Sequence, residues 1–152
     1  MDRARWRFTA DYLFHPRVNA GLEINPVVEE IGIRGNIRII YENRYWPNLS
    51  FGTSSDRIGT PKGNQCYFLT LAKTLPMLSV APYVSLNYSE FEDGLNFPFG
   101  ASVHIVDHFS GMLMNDGRKP HAMLNYDSGH GWGLTAIWVW FEHPGAAFSY
   151  GF

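Results

Sequence analysis

The sequence predicts an all-β protein, an antiparallel up-and-down β-barrel (a meander) of about 10–12 strands that crosses a membrane. Bulky apolar residues alternate with polar or small ones, with a period of two, along nearly the whole chain. The composition includes 15 Gly, 11 Phe, 8 Tyr and 5 Trp with only 17% charged residues, which suits strands and tight turns. The sequence contains neither a clean helical stripe nor a run of about 20 apolar residues, the length of a spanning helix. At 152 residues, we expect a single domain, 1–152.

Each predicted strand is a run in which apolar and polar residues alternate, and turns rich in Pro and Gly separate the runs. The first seven runs are residues 5–14, 18–25, 33–44, 48–56, 65–73, 78–88 and 97–105. The eighth begins after the turn at 107–108, and the ninth is residues 121–126. Short turns alternate with longer loops, such as the one predicted at 90–96, as they do in membrane barrels.

The chain ends in the clearest example of the pattern. Phe148, Tyr150 and Phe152 form one aromatic face with small residues between them, and the run 132–140 precedes them. We interpret residues 142–145 as the turn of this hairpin. Because a soluble protein rarely leaves such an aromatic face uncovered, we expect a lipid bilayer to cover it.

This count of eleven runs is odd, whereas bacterial membrane barrels normally have an even number of strands. We interpret residues 115–120 as a hairpin tip. The alternative is that the runs on both sides of them form one long bulged strand, which makes ten strands, whereas an absent amino-terminal strand would make twelve. The alternation of turns and loops favours twelve.

The signature Phe148, Tyr150 and Phe152 resembles the last strand of bacterial outer-membrane β-barrel proteins, in which a terminal Phe and alternate hydrophobic residues are recognised by the assembly machinery. The resemblance implies a bacterial outer-membrane location, contact with outer-membrane lipid and lipopolysaccharide, and the barrel-assembly machinery as a partner. It identifies no subfamily and leaves the oligomeric state open. Since no secretory signal follows Met1, we expect a mature form or a piece of a longer chain.

The distribution of Trp and Tyr helps to separate this fold from a soluble β-barrel, which would line a ligand cavity with its aromatic face and expose its charged face. Aromatic residues gather near run ends, as the interfacial girdle of a membrane barrel requires. They are Trp6, Tyr12, Tyr41, Tyr88, Trp132 and Trp140.

Charged residues concentrate on the opposite face of the first three runs, the expected barrel interior. They are Arg5, Arg7, Asp11, Glu23, Arg34, Arg38, Glu42 and Arg44. Arginine pairs with carboxylates through two parallel hydrogen bonds, so we expect a network that bridges the lumen, with Arg7 opposite or diagonal to Glu23. The alternative is a lining for a small-anion path, because Arg outnumbers the acids.

The function predicted first is a structural or narrow-pore barrel. The alternatives are a lipid-modifying hydrolase or acyltransferase, and the carboxy-terminal part of a wider porin-like barrel. The candidate catalytic residues are Ser102, His104, Ser128 and His130. Neighbours at i and i+2 on a strand do not by themselves supply catalytic geometry, so an enzyme ranks second.

Cofactors and nucleic acid are not expected. The histidines have no metal-site spacing, and Cys66 has no second cysteine to join it in a disulfide or metal site. The formal charge of −2 and the lack of a basic stripe argue against nucleic acid.

Overall fold

The computed structural model describes residues 6–27, 29–56 and 60–151. These residues confirm the predicted all-β antiparallel meander. Within these ranges there are twelve strands: β1 (Phe8–His15), β2 (Val18–Asn25), β3 (Glu30–Ile40), β4 (Asn48–Ser55), β5 (Gln65–Ala72), β6 (Val80–Ser89), β7 (Gly94–Asn96), β8 (Phe99–Val106), β9 (Phe109–Asn115), β10 (Pro120–Asp127), β11 (Trp132–Val139) and β12 (His143–Tyr150). The helical structure in the described residues is one 3-10 turn, Pro76–Leu78, and none of it is long and apolar enough to cross a membrane.

The twelfth strand comes from the middle of the chain. β7 and β8 both pair with β6 in one register, with Asn96 opposite Asn87 and Phe99 opposite Val84. They act as two halves of one strand, interrupted where Pro98 lacks the N–H that a ladder needs. The eleven predicted runs therefore match the other eleven strands, and β7 lies in the stretch predicted as a loop.

The predicted hairpin tip at 115–120 is confirmed, and the predicted turn at 142–145 is wrong. Pro120 pairs with Asn115, so residues 115–120 are a hairpin turn and the ten-strand alternative is excluded. The turn before β12 is at 140–142 rather than 142–145, because Val139 already pairs with His143. Trp140 and Phe141 form this turn with positive φ angles of 59° and 56°. Pro144 is tolerated in β12 because an edge strand does not need every N–H for pairing.

The sheet order starts at β1 and ends at β12, and no pairing joins these two strands among the described residues. The predicted closure into a barrel is therefore not present there. The path has eleven strands among the described residues once β7 is set aside.

Contacts divide the chain into two compact units. The first comprises Met1–Leu71 and Ser85–Asn96, and the second comprises Ala72–Val84 and Phe97–Phe152. In the second unit, β11 and β12 place Leu134 opposite Phe148 and Trp132 opposite Tyr150. This register puts large apolar side chains together on one face, as the period-two pattern predicts.

In the first unit, burial is the reverse of that in a soluble sheet. Leu22 and Ile24 on β2 are 48% and 41% exposed, whereas Glu23 between them is 1% exposed. On β3, Ile31 is 72% exposed, while its neighbour Glu30 is buried. The polar face of these strands is thus the covered one, and the apolar face is the open one.

Candidate functional site

A polar cavity lies on the covered face of the first unit. It has a volume of about 390 Å³ and is lined mainly by alternate residues of β1–β4, which share one face of the sheet. Its lining residues are Arg7, Asp11, Asn19, Glu23, Arg34, Gly35, Asn36, Arg38, Asn48, Ser50, Thr53, Ser54 and Phe68. Five of the predicted interior residues are among them: Arg7, Asp11, Glu23, Arg34 and Arg38.

Glu23 and Arg7 form the most buried ion pair of this cavity. Thr9 lies opposite Glu23, which places Arg7 on the diagonal, and Arg7 Nη2 lies 2.5 Å from Glu23 Oε2. Asn25 Nδ2 donates a hydrogen bond of 3.2 Å to Glu23 Oε1. The Glu23 side chain is 1% exposed, but that of Arg7 is 49% exposed. Glu23 therefore depends on Arg7 for charge compensation far more than Arg7 depends on Glu23.

A glycine makes room for the second ion pair. Gly21 on β2 lies between Asp11 on β1 and Arg34 on β3, and Arg34 Nε reaches Asp11 Oδ1 at 3.0 Å. A Cβ atom at Gly21 would lie 2.6 Å from Asp11 Oδ1 and would also clash with the carbonyl oxygen of Ala10. Only a residue without a side chain leaves this space open to the pair.

Arg38 is the third arginine of the cavity, and it forms no ion pair with a carboxylate among the described residues. Its guanidinium carbon lies 5.1 Å from the ring centroid of Tyr41, and that of Arg17 lies 4.8 Å from the same centroid. Tyr41 donates a hydrogen bond of 3.0 Å to the carbonyl oxygen of Pro16. Arg17 Nη1 donates one of 3.2 Å to the carbonyl oxygen of Ile39.

The sequence pattern missed Arg17 and Tyr41. Arg17 lies in the turn between β1 and β2, outside any alternating run. The alternation assigned Tyr41 to the aromatic girdle, but the β3–β4 register shifts between Arg38 and Ile40. This β-bulge reverses the alternation, so the side chain of Tyr41 meets Arg38.

The other predicted interior residues are not in the cavity lining. Glu42 and Arg44 follow the end of β3 at Ile40 and lie exposed in its connection to β4. The predicted run extended to residue 44 because the bulge and the strand end leave no mark on the alternation. Arg5 and Phe152 lie outside the described residues, whereas Phe148 and Tyr150 are exposed on β12.

The candidate catalytic serines and histidines do not form a nucleophile–base pair. Ser128 Oγ donates to the carbonyl oxygen of Trp132 at 2.7 Å and accepts from the amide N–H of His130 at 3.1 Å. His130 Nδ1 contacts the carbonyl oxygen of Ser128, not its hydroxyl, at 2.8 Å. Ser102 and His104 lie opposite Met112 and Ser110, and no hydrogen bond between their side chains is present in the described chain. Ser128 thus organises a turn.

The β9–β10 turn is held by a carboxylate. Asp116 accepts hydrogen bonds from the amide N–H groups of Arg118 (2.9 Å) and Lys119 (2.8 Å) and contacts His121 Nε2 at 2.9 Å. Partial burial favours the neutral acid, but hydrogen bonds from Lys119, His121 and Arg118 outweigh it, so the pKa of Asp116 lies below its ordinary value of 3.8. The ionised form therefore stabilises this turn.

No group of three His, Cys, Asp or Glu side chains is placed to hold a metal ion within the described ranges. No protein-family model matches the chain, and no curated protein or solved structure matches it. Function must accordingly be argued from the cavity, the two faces of the sheet and their charges.

Proposed function

We propose that the chain is an integral β-barrel protein of the bacterial outer membrane, with a structural role and an interior bridged by ion pairs. The observation that carries this proposal is the reversed burial in β2 and β3. A buried carboxylate between two exposed aliphatic side chains is the arrangement expected when lipid lies outside and polar groups lie inside.

The size of the exposed apolar surface supports the proposal. Ile31 and Ile33 on β3 are 72% and 66% exposed, and Phe148 and Tyr150 on β12 are 66% and 64% exposed. Removing one such side chain from water contributes about 1.5–3 kcal/mol. A sheet that left all of them in water would forgo this contribution on every strand, whereas a bilayer supplies it.

Aromatic placement is a second, independent support. Trp132 begins β11, and Trp140 follows its end. Trp and Tyr concentrate at both interfaces of membrane barrels, where the ring contacts the acyl chains and the polar group contacts water.

The interior supports a bridged lumen more than an open channel. Two arginines of the cavity are matched by Glu23 and Asp11, and these pairs cross three adjacent strands. A barrel of about twelve strands is little wider than its side chains, since about eight strands are filled and about sixteen leave a channel. We therefore propose a narrow or closed pore with low conductance.

One observation favours a second proposal, that the chain is part of a wider porin-like barrel. The meander path has an odd number of strands, and its end strands β1 and β12 are unpaired with each other in the described residues. We propose that further strands, paired with these two ends, would complete the wall. Those strands would come from a longer chain or from another subunit.

The test is the behaviour of the purified chain. A membrane barrel should require detergent for solubility and should migrate faster on a denaturing gel without boiling than after boiling. In planar bilayers it should pass little or no current. A chain that stays monomeric without detergent and migrates identically with and without boiling would refute the proposal. A large, stable conductance would refute the bridged lumen alone.

A further inference from the structure

We propose that Arg17, Arg38 and Tyr41 form a binding site for a phosphate-type anion at one end of the polar cavity. This basic cluster joins the turn after β1 to the end of β3, and its Arg38 also lines the cavity. No structural role described above requires two positive charges at this place.

The geometry holds two like charges close together. Both guanidinium carbons lie about 5 Å from one Tyr41 ring centroid, at 4.8 and 5.1 Å, so they can be no farther apart than the sum of these distances. The amide N–H of Arg38 also donates 2.8 Å to the carbonyl oxygen of Arg17, which ties the two backbones together. An anion that lies near both guanidinium groups would offset the repulsion between their like charges.

The ion pairs of the cavity do not neutralise the positive charges of Arg17 and Arg38. Arg7 and Arg34 are matched by Glu23 and Asp11, whereas the described residues provide no carboxylate in an ion pair with Arg17 or Arg38. A guanidinium that stacks on a ring keeps N–H donors at its edge, in the planar fork that fits phosphate oxygens. The Tyr41 hydroxyl is engaged with Pro16, so the ring is fixed as the platform.

The surroundings indicate where such an anion would come from. Tyr45 and Trp46 in the same connection are 81% and 63% exposed, as aromatic residues at the headgroup level of a membrane are. Insofar as the source is a lipid headgroup, the inference rests on the proposed membrane function. A free phosphate has the same oxygen chemistry and does not require a membrane, so the two sources can be separated by experiment.

The experiment compares the parent with the double variant Arg17→Gln/Arg38→Gln in maltoside micelles, which contain no phosphate. The matched control is Lys62→Gln/Arg118→Gln, which removes the same charge from two exposed loop residues. Binding of inorganic phosphate is measured by titration calorimetry. Binding of a short-chain phosphatidylglycerol is measured by native mass spectrometry, and both are repeated at raised salt.

We expect the parent and the control to bind at least one of the two probes, with affinity that falls as salt rises. The affinity of the double variant should be at least about tenfold lower, because charge-assisted hydrogen bonds to both guanidinium groups are lost. Binding of phosphatidylglycerol alone identifies a lipid headgroup as the source. Binding of inorganic phosphate identifies a free anion, and this holds even if the protein proves soluble without detergent.

Equal affinity of the parent and the double variant for both probes, or no binding of either by the parent, would overturn the proposal. If the double variant does not fold, the single variant Arg38→Gln replaces it. That variant keeps the hydrogen bond from Arg17 to Ile39, so its fold should be preserved. An unchanged affinity in Arg38→Gln would count against the site in the same way.

Discussion

Removing Arg7 is predicted to destabilise the protein more than neutralising its partner Glu23. The reason is the unequal burial of the pair: the side chain of Glu23 is 1% exposed and that of Arg7 is 49% exposed. Arg7→Ala leaves a charged carboxylate buried without its cation. Glu23→Gln leaves a guanidinium that is already half in water, and Gln still accepts a hydrogen bond from Asn25.

The magnitudes follow from these environments. Leaving a buried charge unpaired typically costs about 3–5 kcal/mol, which is the expectation for Arg7→Ala. Glu23→Gln exchanges a charge-assisted hydrogen bond for a neutral one and should cost about 1–2 kcal/mol. The double variant Arg7→Ala/Glu23→Gln should cost little more than Glu23→Gln alone, because a neutral amide needs no cation.

The assay is equilibrium unfolding in urea of protein folded into lipid vesicles, followed by tryptophan fluorescence. The control is the second ion pair of the same cavity, in which Asp11 and Arg34 are each 35% exposed. Since water screens that pair, Arg34→Ala should cost only about 0–1 kcal/mol.

Two results would refute this reasoning. Glu23→Gln could lower the free energy of unfolding as much as Arg7→Ala does, or Arg34→Ala could match Arg7→Ala. Either result would mean that burial of the carboxylate does not govern the stability of the network.

Three further predictions concern other parts of the chain. Gly21→Ala should lower the urea midpoint and break the Asp11–Arg34 pair, because its Cβ would clash with both Asp11 and the backbone; an unchanged midpoint would contradict this. Asp116→Asn should lower the thermal midpoint by about 2–4 °C near neutral pH. Because the pKa of Asp116 is lowered, its stabilisation is present above pH 3.8 and is lost as the pH falls through its folded-state pKa, so the midpoints of parent and variant should converge in acid. Finally, a serine-directed fluorophosphonate should not label the folded protein at Ser102 or Ser128, and specific labelling abolished by Ser→Ala would restore the lipid-modifying enzyme as the leading hypothesis.

Most strands followed from the sequence because each one has an apolar and a polar face, and the period of two marks them directly. The errors lie where backbone geometry departs from that period. Residues 142–145 looked like a turn because Pro and Gly usually mark one, yet Trp140 and Phe141 supply the positive φ angles of the real turn. The bulge after Arg38 is likewise not visible in the alternation of polar and apolar residues, although it brings Tyr41 to Arg38.

The candidate site could be predicted in part. Arg7 and Glu23 were placed together because a hairpin fixes which residues meet across two strands. Asp11 and Arg34 required the register of a third strand, and their contact depends on the missing side chain of Gly21. Whether the first and last strands pair is not encoded in the alternation at all, because a strand has the same two faces at an open edge and in a closed wall.

The most direct test of the central claim is which face of β3 contacts lipid. Single cysteines at Ile33 and Asn36, each introduced with Cys66→Ser, would carry a nitroxide spin label in protein reconstituted into vesicles. Ile33 is 66% exposed on the apolar face, and Asn36 lines the polar cavity. We expect the label at 33 to be accessible to oxygen but shielded from a water-soluble nickel complex, and the label at 36 to show the opposite preference. Equal access of the nickel complex to both labels would contradict it.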